Sequence, residues 1–349
     1  MGAHTDIVHN GERDDVSAVP IYQAATVDGS YSRDGHNPTI EALEEKIRSL
    51  ERGQAALVTA SGMAAISHTL LGLLSQGSRL VTHQTMYSGV QKLLSSVLPR
   101  YGIELVQVDM TDLENLRAAL DTSPSVVYFE PIANPYVDVI DAPGAITMAR
   151  ECGATVMIDN TFLSPYLFKP LDYGAQIVVH SATKYLCGHG DTLGGAVITA
   201  SAEHTEAIRE VRNCVGGILS PGNAFLIMRG IKTMGIRMDR HSQSAMCIAK
   251  HLDSHPRVYT VFYPGLPSSP GHDAASSYLT SFGGMIGFET TFDLNWDRVK
   301  ARLRMIKPWV SLGDTVTLVT KRGPRRIRLS VGLEDVEDII ADLELLLAT

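Results

Sequence analysis

From Thr39 onward the chain alternates short, nearly uninterrupted apolar runs with longer segments in which apolar residues return every three or four positions. The runs "AALVTA", "SRLVTH", "IELVQVD", "SVVYFE", "TVMIDN", "QIVVHS" and "GGAVIT" read as strands buried on both faces. Between them, "GMAAISHTLLGLLSQG", "SGVQKLLSSVLPRYG", "LENLRAAL" and "GAITMARECG" carry helical periodicity. This β-α-β-α rhythm predicts an α/β fold, a mostly parallel sheet with helices on both faces. Functional groups in such sheets gather at the carboxyl ends of the strands.

The flanking segments have different textures. Ahead of the compact region, "PIYQAATVDGSYSRDGHNPT" is rich in turn formers and reads as an extended arm, followed by the helical "IEALEEKIRSLERG" with its glycine stop. Beyond the last apolar run, "SPGNAFLIMRGIKTMGIRMDRHSQSAMCIAKHLDSH" is too long and too helical for a connection and reads as one long or kinked helix. "VYTVFYPG", "GGMIGFETTF", "WDRVKARLRMI", "RRIRLSVG" and "EDVEDIIADLELLLA" then suggest a smaller C-terminal α/β domain. The expected division is an N-terminal arm over 1–38, a large domain over 39–225 and a small domain over 226–349.

Charge narrows the partners. The 349 residues hold 30 Lys plus Arg against 38 Asp plus Glu, a net of −8 without any concentrated run. That balance argues against nucleic acid or an anionic membrane. The N-terminus is polar and acidic, no long apolar segment follows, and Asp6 stands where a myristoylation signal needs a small hydroxyl residue. A soluble, cytoplasmic protein is expected. Cys152, Cys187, Cys214 and Cys247 are scattered singly, which implies reduced thiols, with Cys187 in a packing role.

Candidate chemistry centres on "HSATKYLCGHGDTLGG", His180 to Gly195. Lys184 follows an apolar strand and precedes several glycines. A phosphate-binding P-loop needs its glycines before the lysine and a Ser or Thr after it, whereas Tyr185 follows here. Cys187, His189 and Asp191 alternate like metal ligands but lack a spaced fourth partner, so no metal is expected. A surface lysine in a turn remains the bland reading until neighbouring strand ends are considered. Asp159 closes "TVMID", where a buried carboxylate needs a cation or hydrogen bonds. "LVTASGMAAI" runs from strand through Ser61 and Gly62 into a helix start, which favours an anion. Ser181 and Thr183 add hydroxyls, Asn134 ends another strand, and Tyr87 offers a flat face. Each has an ordinary explanation as cap, turn or core residue. Together they describe one ligand: an aldehyde for Lys184, a basic ring nitrogen for Asp159, a hydroxyl for Asn134 and a phosphate for Gly62, Met63, Ser181 and Thr183. That ligand is pyridoxal 5'-phosphate.

The segments "YSRDGHNPT", "SGMAAI", "IDNTFLSPY", "HSATKYLCGHGD", "LIMRGIKTMGIRMDRHS", "YPGLPSSPGHD", "SLGD" and "RLSVGLEDVEDII" span nearly the whole chain. Through them the sequence resembles the fold-type I pyridoxal-phosphate enzymes of cysteine and methionine metabolism, a group that includes methionine γ-lyase, cystathionine γ-lyase, cystathionine γ-synthase and O-acetylhomoserine sulfhydrylase. The resemblance implies that Lys184 bonds the cofactor aldehyde and shuttles protons, that Asp159 holds the ring nitrogen, and that Tyr87 stacks and serves as an acid at the leaving group. It adds Thr161 to the cofactor set, assigns Tyr31 and Arg33 to the phosphate of a neighbouring subunit, and gives Arg328 the substrate α-carboxylate. Asn134, Val316, Thr317 and Lys92 join the substrate side. A homo-oligomer with shared sites, a tetramer built from two dimers, is implied as well.

Departures from the family pattern bear on specificity. "YSRDGHNPT" has one residue more than usual between the arginine and Asn-Pro-Thr, which alters the reach of Arg33. Only sixteen residues separate Ser311 from Arg328, and the usual Met-Thr-His segment is missing, so a shortened or open pocket wall is expected. Gly89 replaces the cysteine of many methionine γ-lyases. Where cystathionine-processing members carry Glu, Arg and Glu, this chain has Ser30, Lys92 and Val316. Loss of the two acids favours a smaller or less polar thioether. The expected activity is a γ-eliminating carbon–sulfur lyase acting on methionine or a related homocysteine thioether; cystathionine γ-lysis and γ-replacement are the alternatives. A non-catalytic relative is disfavoured by the intact Lys184, Asp159 and Arg328.

Overall fold

The computed structural model describes residues 2–10, 16–34 and 36–348. Its large sheet contains β1 (Ala55–Thr59), β2 (Arg79–His83), β3 (Glu104–Val108), β4 (Val126–Phe129), β5 (Thr155–Asp159), β6 (Ile177–His180) and β7 (Gly195–Thr199). These are the seven apolar runs of the sequence, arranged in the order β1-β7-β6-β5-β4-β2-β3. All neighbouring pairs are parallel except those of β7, which runs antiparallel to both β6 and β1. The reversal has a local cause. Ser181–Gly194 contains no helix, and a parallel return would need a crossover, usually helical.

Residues of successive strand positions enter opposite cores, as a period of two requires. Val58, Val127, Val156, Ile158 and Val178 pack on one face with Leu43 and Ile47 of α2 (Pro38–Glu51), Leu116 of α4 (Leu113–Leu120), Ile146 of α5 (Ala142–Glu151) and Ile227 of α7 (Pro221–Ile231). Leu57, Val126, Met157, Ile177 and Val179 pack on the other with Ile66 and Leu70 of α3 (Gly62–Leu73) and Ile208 of α6 (Ala202–Val215). Helix starts follow local capping chemistry. Asn37 accepts from Thr39 and Ile40 N–H ahead of Pro38, and Ser61 accepts from Ala64 N–H. Each such cap is worth about 1 kcal/mol.

The long helical stretch is divided. α7 ends at Ile231, and α8 (Met234–Asp253) begins after Thr233, whose backbone (φ −106°, ψ 5°) leaves the helix. Thr233 Oγ1 also accepts from Arg237 Nε at 3.1 Å. α8 and α9 (Val336–Leu347) cover a second sheet formed by β8 (Val258–Phe262), β9 (Met285–Thr290), β10 (Leu318–Lys321) and β11 (Arg326–Ser330), antiparallel in the order β8-β9-β11-β10. β10 is absent from the expected elements.

The polar start ahead of the expected extended segment is partly helical. Ala3–His9 forms α1, with Ile7 buried, and Lys46 Nζ donates to the carbonyls of Val8 at 3.2 Å and Asn10 at 2.8 Å. An apolar anchor and ammonium bonds therefore dock this end on its own chain. Farther along, Asn37 Nδ2 holds Tyr22 O, but Tyr31 is 59% exposed. Among the described residues no helix is long and apolar enough to cross a membrane.

Candidate active site

The carboxyl ends of β1, β4, β5 and β6 converge on a cavity of about 250 Å³, closed on the side of the second sheet by Val310–Leu312, Arg322 and Arg328. Its wall includes Gly62, Met63, Tyr87, Asn134, Asp159, Thr161, Ser181, Thr183 and Lys184, residues dispersed over more than a hundred positions of sequence. β6 delivers Lys184 through a tight turn in which Lys184 N–H bonds Ser181 O. Lys184 Nζ donates to Ser311 Oγ at 2.7 Å. Burial, aided by the charge of Arg328, lowers the pKa of this amine, which raises the fraction available as a free base.

Asp159 stands at the end of β5 with Oδ1 accepting Thr161 N–H at 3.0 Å. Tyr128 Oη reaches Oδ2 only at 3.4 Å. Burial raises the Asp159 pKa against these bonds, so the carboxyl lacks a full cationic partner. Behind it, His180 Nε2 and Glu51 Oε1 lie 2.6 Å apart in the core.

The opposite wall is braced by Glu130. Its Oε1 accepts Tyr87 N–H at 3.0 Å and its Oε2 accepts Asn134 N–H at 2.6 Å. Burial, reinforced by the Asp159 charge, pushes Glu130 up to about 8. Asn134 Oδ1 accepts Arg328 Nη1 at 2.5 Å, while Arg328 Nη2 donates to Ser311 O at 2.9 Å. Burial lowers the Arg328 pKa to about 10, and its buried Nε has no hydrogen-bond partner among the described residues.

The anion end is equally built. A Cβ on Gly62 would lie 2.8 Å from Ser181 Cβ and 2.9 Å from Ser181 Cα, so only glycine lets the first turn of α3 meet the β6 loop. Ser181 N–H donates to Thr161 Oγ1 at 2.8 Å. The Thr183 hydroxyl donates to Gly194 O at 3.2 Å and accepts Gly194 N–H at 3.0 Å, so it is engaged within the loop. A helix N-terminus for phosphate, an under-compensated carboxylate for a ring cation and a buried amine for an aldehyde fit pyridoxal phosphate.

Several expected site residues lie elsewhere. Val316 and Thr317 do not line the cavity; Thr317 is buried, its N–H and Oγ1 bonded to Glu334 at 2.6 and 2.7 Å, because the chain there is already entering β10. Lys92 is exposed at the end of the short helix Ser88–Lys92 and is also outside the lining. Tyr31 and Arg33 sit on the exposed arm, away from this chain's own cavity, with Arg33 beside Asp34. The motif atoms considered for a metal bond one another instead: Cys187 Sγ donates to Asp191 Oδ1 at 3.2 Å, and His189 Nδ1 meets Cys187 O at 2.7 Å.

The wall expected to be shortened or open carries Arg322 and Arg328 from the β10–β11 hairpin. Glu130, Ser311 and Arg322 are polar site residues that sequence reasoning missed. The end of "SVVYFE" offered the same strand-end signal as Asp159. Nothing local marked Arg322, whose position depends on cross-strand register.

Comparison with known proteins agrees with this geometry. Residues 4–326 match the model of the family described as Cys/Met metabolism PLP-dependent enzyme. The chain is 40% identical to an L-methionine γ-lyase of Fusobacterium nucleatum subsp. polymorphum, over 98% of this chain and 97% of that one. It is 37% identical to a cystathionine γ-lyase of Bacillus subtilis, over 98% of each. A crystal structure of cystathionine γ-lyase from Lactobacillus plantarum complexed with L-serine superposes with a TM-score of 0.95 at 35% identity, covering 100% of this chain and 99% of that one.

Proposed function

The chain belongs to the pyridoxal-phosphate-dependent enzymes of Cys/Met metabolism, and from that premise we propose that it cleaves the Cγ–S bond of a homocysteine thioether, releasing a thiol, ammonia and 2-oxobutanoate. The observation that carries this reading is the meeting of Lys184, Tyr87, Asp159 and Arg328 in one cavity. When bound, pyridoxal phosphate supplies an electron sink that stabilises negative charge next to the amino group.

This chain's residues supply the rest. Gly62, Met63 and Ser181 would hold the phosphate, Asp159 would keep the ring nitrogen protonated, and Asn134 would offer its amide to the ring hydroxyl. Arg328, fixed by Asn134 and Ser311 O, orients the substrate by its α-carboxylate. Lys184, with its lowered pKa, takes the proton from the substrate α-carbon and returns it at neighbouring carbons. Tyr87, stationed by the bond from its N–H to Glu130, gives a proton to the departing sulfur. Tyr31 and Arg33 complete the phosphate site of an adjacent subunit in a homo-oligomer, a tetramer of two such dimers.

Purified holoprotein given methionine or cystathionine is expected to yield 2-oxobutanoate, ammonia and a thiol, followed by keto-acid and thiol assays. Thioether synthesis from an activated homoserine ester without lysis of either compound would overturn elimination in favour of γ-replacement.

A further inference from the structure

We infer that Arg322 is a specificity-determining residue that receives a carboxylate at the far end of the substrate side chain, which directs the enzyme toward thioether amino acids carrying a second carboxylate. This inference rests on the reading of the cavity as an amino-acid site.

The hairpin register places the group. Thr320 faces Arg328 and Lys321 faces Ile327 across β10 and β11, and Arg322 N–H donates to Arg326 O at 2.7 Å, so the pairing continues past the strand end. Side chains alternate along strands, which sets Thr320, Arg322, Arg326 and Arg328 on one face and makes Arg322 a diagonal neighbour of Arg328. The three arginines are then employed differently. Arg328 is bonded to Asn134 Oδ1 and Ser311 O. Arg326 lies 4.0 Å from the Phe262 ring centroid and 3.4 Å from Glu289. Arg322 lines the cavity, half-buried, with its Nε withdrawn from solvent.

Among the described residues no hydrogen-bond acceptor or carboxylate pairs with any nitrogen of the Arg322 guanidinium. The two acids in the wall are committed elsewhere: Glu130 to the N–H groups of Tyr87 and Asn134, Asp159 to Thr161. An Nε–H removed from water without an acceptor is costly, and the planar guanidinium fork matches a carboxylate. Burial lowers the Arg322 pKa, and its charge in turn lowers that of Arg328, so the two guanidiniums share one electrostatic environment. With Arg328 assigned to the α-carboxylate, the second carboxylate falls to Arg322. The sixteen-residue spacing between Ser311 and Arg328 permits this, since the hairpin returns at once into β11.

The test compares methionine with S-carboxymethyl-L-homocysteine, which adds a distal carboxylate without a distal ammonium. Wild-type holoenzyme, Arg322→Gln and Arg322→Lys are assayed for kcat/KM on both, with thermal melts to verify folding. Wild type should favour the carboxylate-bearing thioether, and Arg322→Gln should lower kcat/KM for it by about ten- to a hundredfold, mainly through KM. Methionine should change by no more than about twofold, and Arg322→Lys should fall between, keeping the charge but not the fork. Equal changes for the two substrates, or none for either, would overturn the assignment; should Arg322→Gln fail to fold, Arg322→Lys decides by the same criterion. If neither compound is cleaved, the lyase reading fails, and calorimetric Kd values for the same pair decide Arg322 alone. A preference for the carboxylate that the substitution abolishes supports the inference, and equal Kd values overturn it.

Discussion

Arg328 donates to the side chain of Asn134 at 2.5 Å across 194 positions of sequence, joining β11 of the second sheet to the loop that follows β4 of the large one. Together with the bond to Ser311 O, this one fixes the rotamer of Arg328, the residue proposed to orient the substrate carboxylate. It also leaves the Asn134 amide nitrogen available to a ligand.

Asn134→Ala should therefore release Arg328 as well as removing the proposed cofactor contact. The expected outcome is a loss of kcat/KM of about tenfold or more, carried mainly by KM for the amino acid. Steady-state kinetics at saturating pyridoxal phosphate measure it. A change confined to cofactor affinity would contradict the positioning of Arg328.

Lys184→Ala should abolish covalent retention of the cofactor, read as loss of the yellow absorbance after amine exchange and dialysis. Borohydride reduction of the wild type followed by peptide mapping should place the label on Lys184. Asp159→Asn should keep the label but slow turnover by orders of magnitude, because the ring nitrogen loses the carboxylate that keeps it cationic. Unchanged turnover in that variant would remove Asp159 from its proposed role.

Glu130 gives a pH signature in cofactor-free protein. Its folded pKa is raised from 4.5 to about 8 by burial and by Asp159, so folding takes up a proton in that interval. A raised folded value means that the contribution is fully present below the unfolded pKa and is lost as pH rises through about 8. Melting temperature across this range should fall less steeply in Glu130→Gln than in the wild type. Parallel profiles for the two proteins would sink the assignment.

Val316→Glu tests the relocation of an expected specificity residue. In the family's cystathionine-processing members an acid at the matching place would meet a distal ammonium, but here Val316 lies outside the lining and Thr317 is tied to Glu334. The ratio of kcat/KM for cystathionine to that for methionine should stay within about twofold of the wild type, well short of what a new charged hydrogen bond supplies. A shift of tenfold or more toward cystathionine would restore Val316 to the pocket.

Much of the site was legible because its signals are local. Asp159 follows an apolar run, Ser61 and Gly62 join a strand to a helix start, and Lys184 follows another buried strand; each feature is fixed by a handful of adjacent residues. Glu130 carried the same strand-end signal as Asp159. Its bracing of Tyr87 and Asn134, however, depends on where two other loops come to rest.

The sequence by itself determined the seven strands of the large sheet, the helices between them and the chemistry of the lysine loop, since periodicity and capping act over a few residues. Tertiary structure decided the order of the strands, the antiparallel course of β7, and the packing of α1 on its own chain. It also decided that Val316 leaves the pocket while Arg322 enters it. Pairing β10 with β11 sets that outcome, and a shift of one residue in register would send the alternate side chains to the opposite face. Register of this kind is fixed by contacts between residues distant in sequence, which no short stretch of the chain encodes.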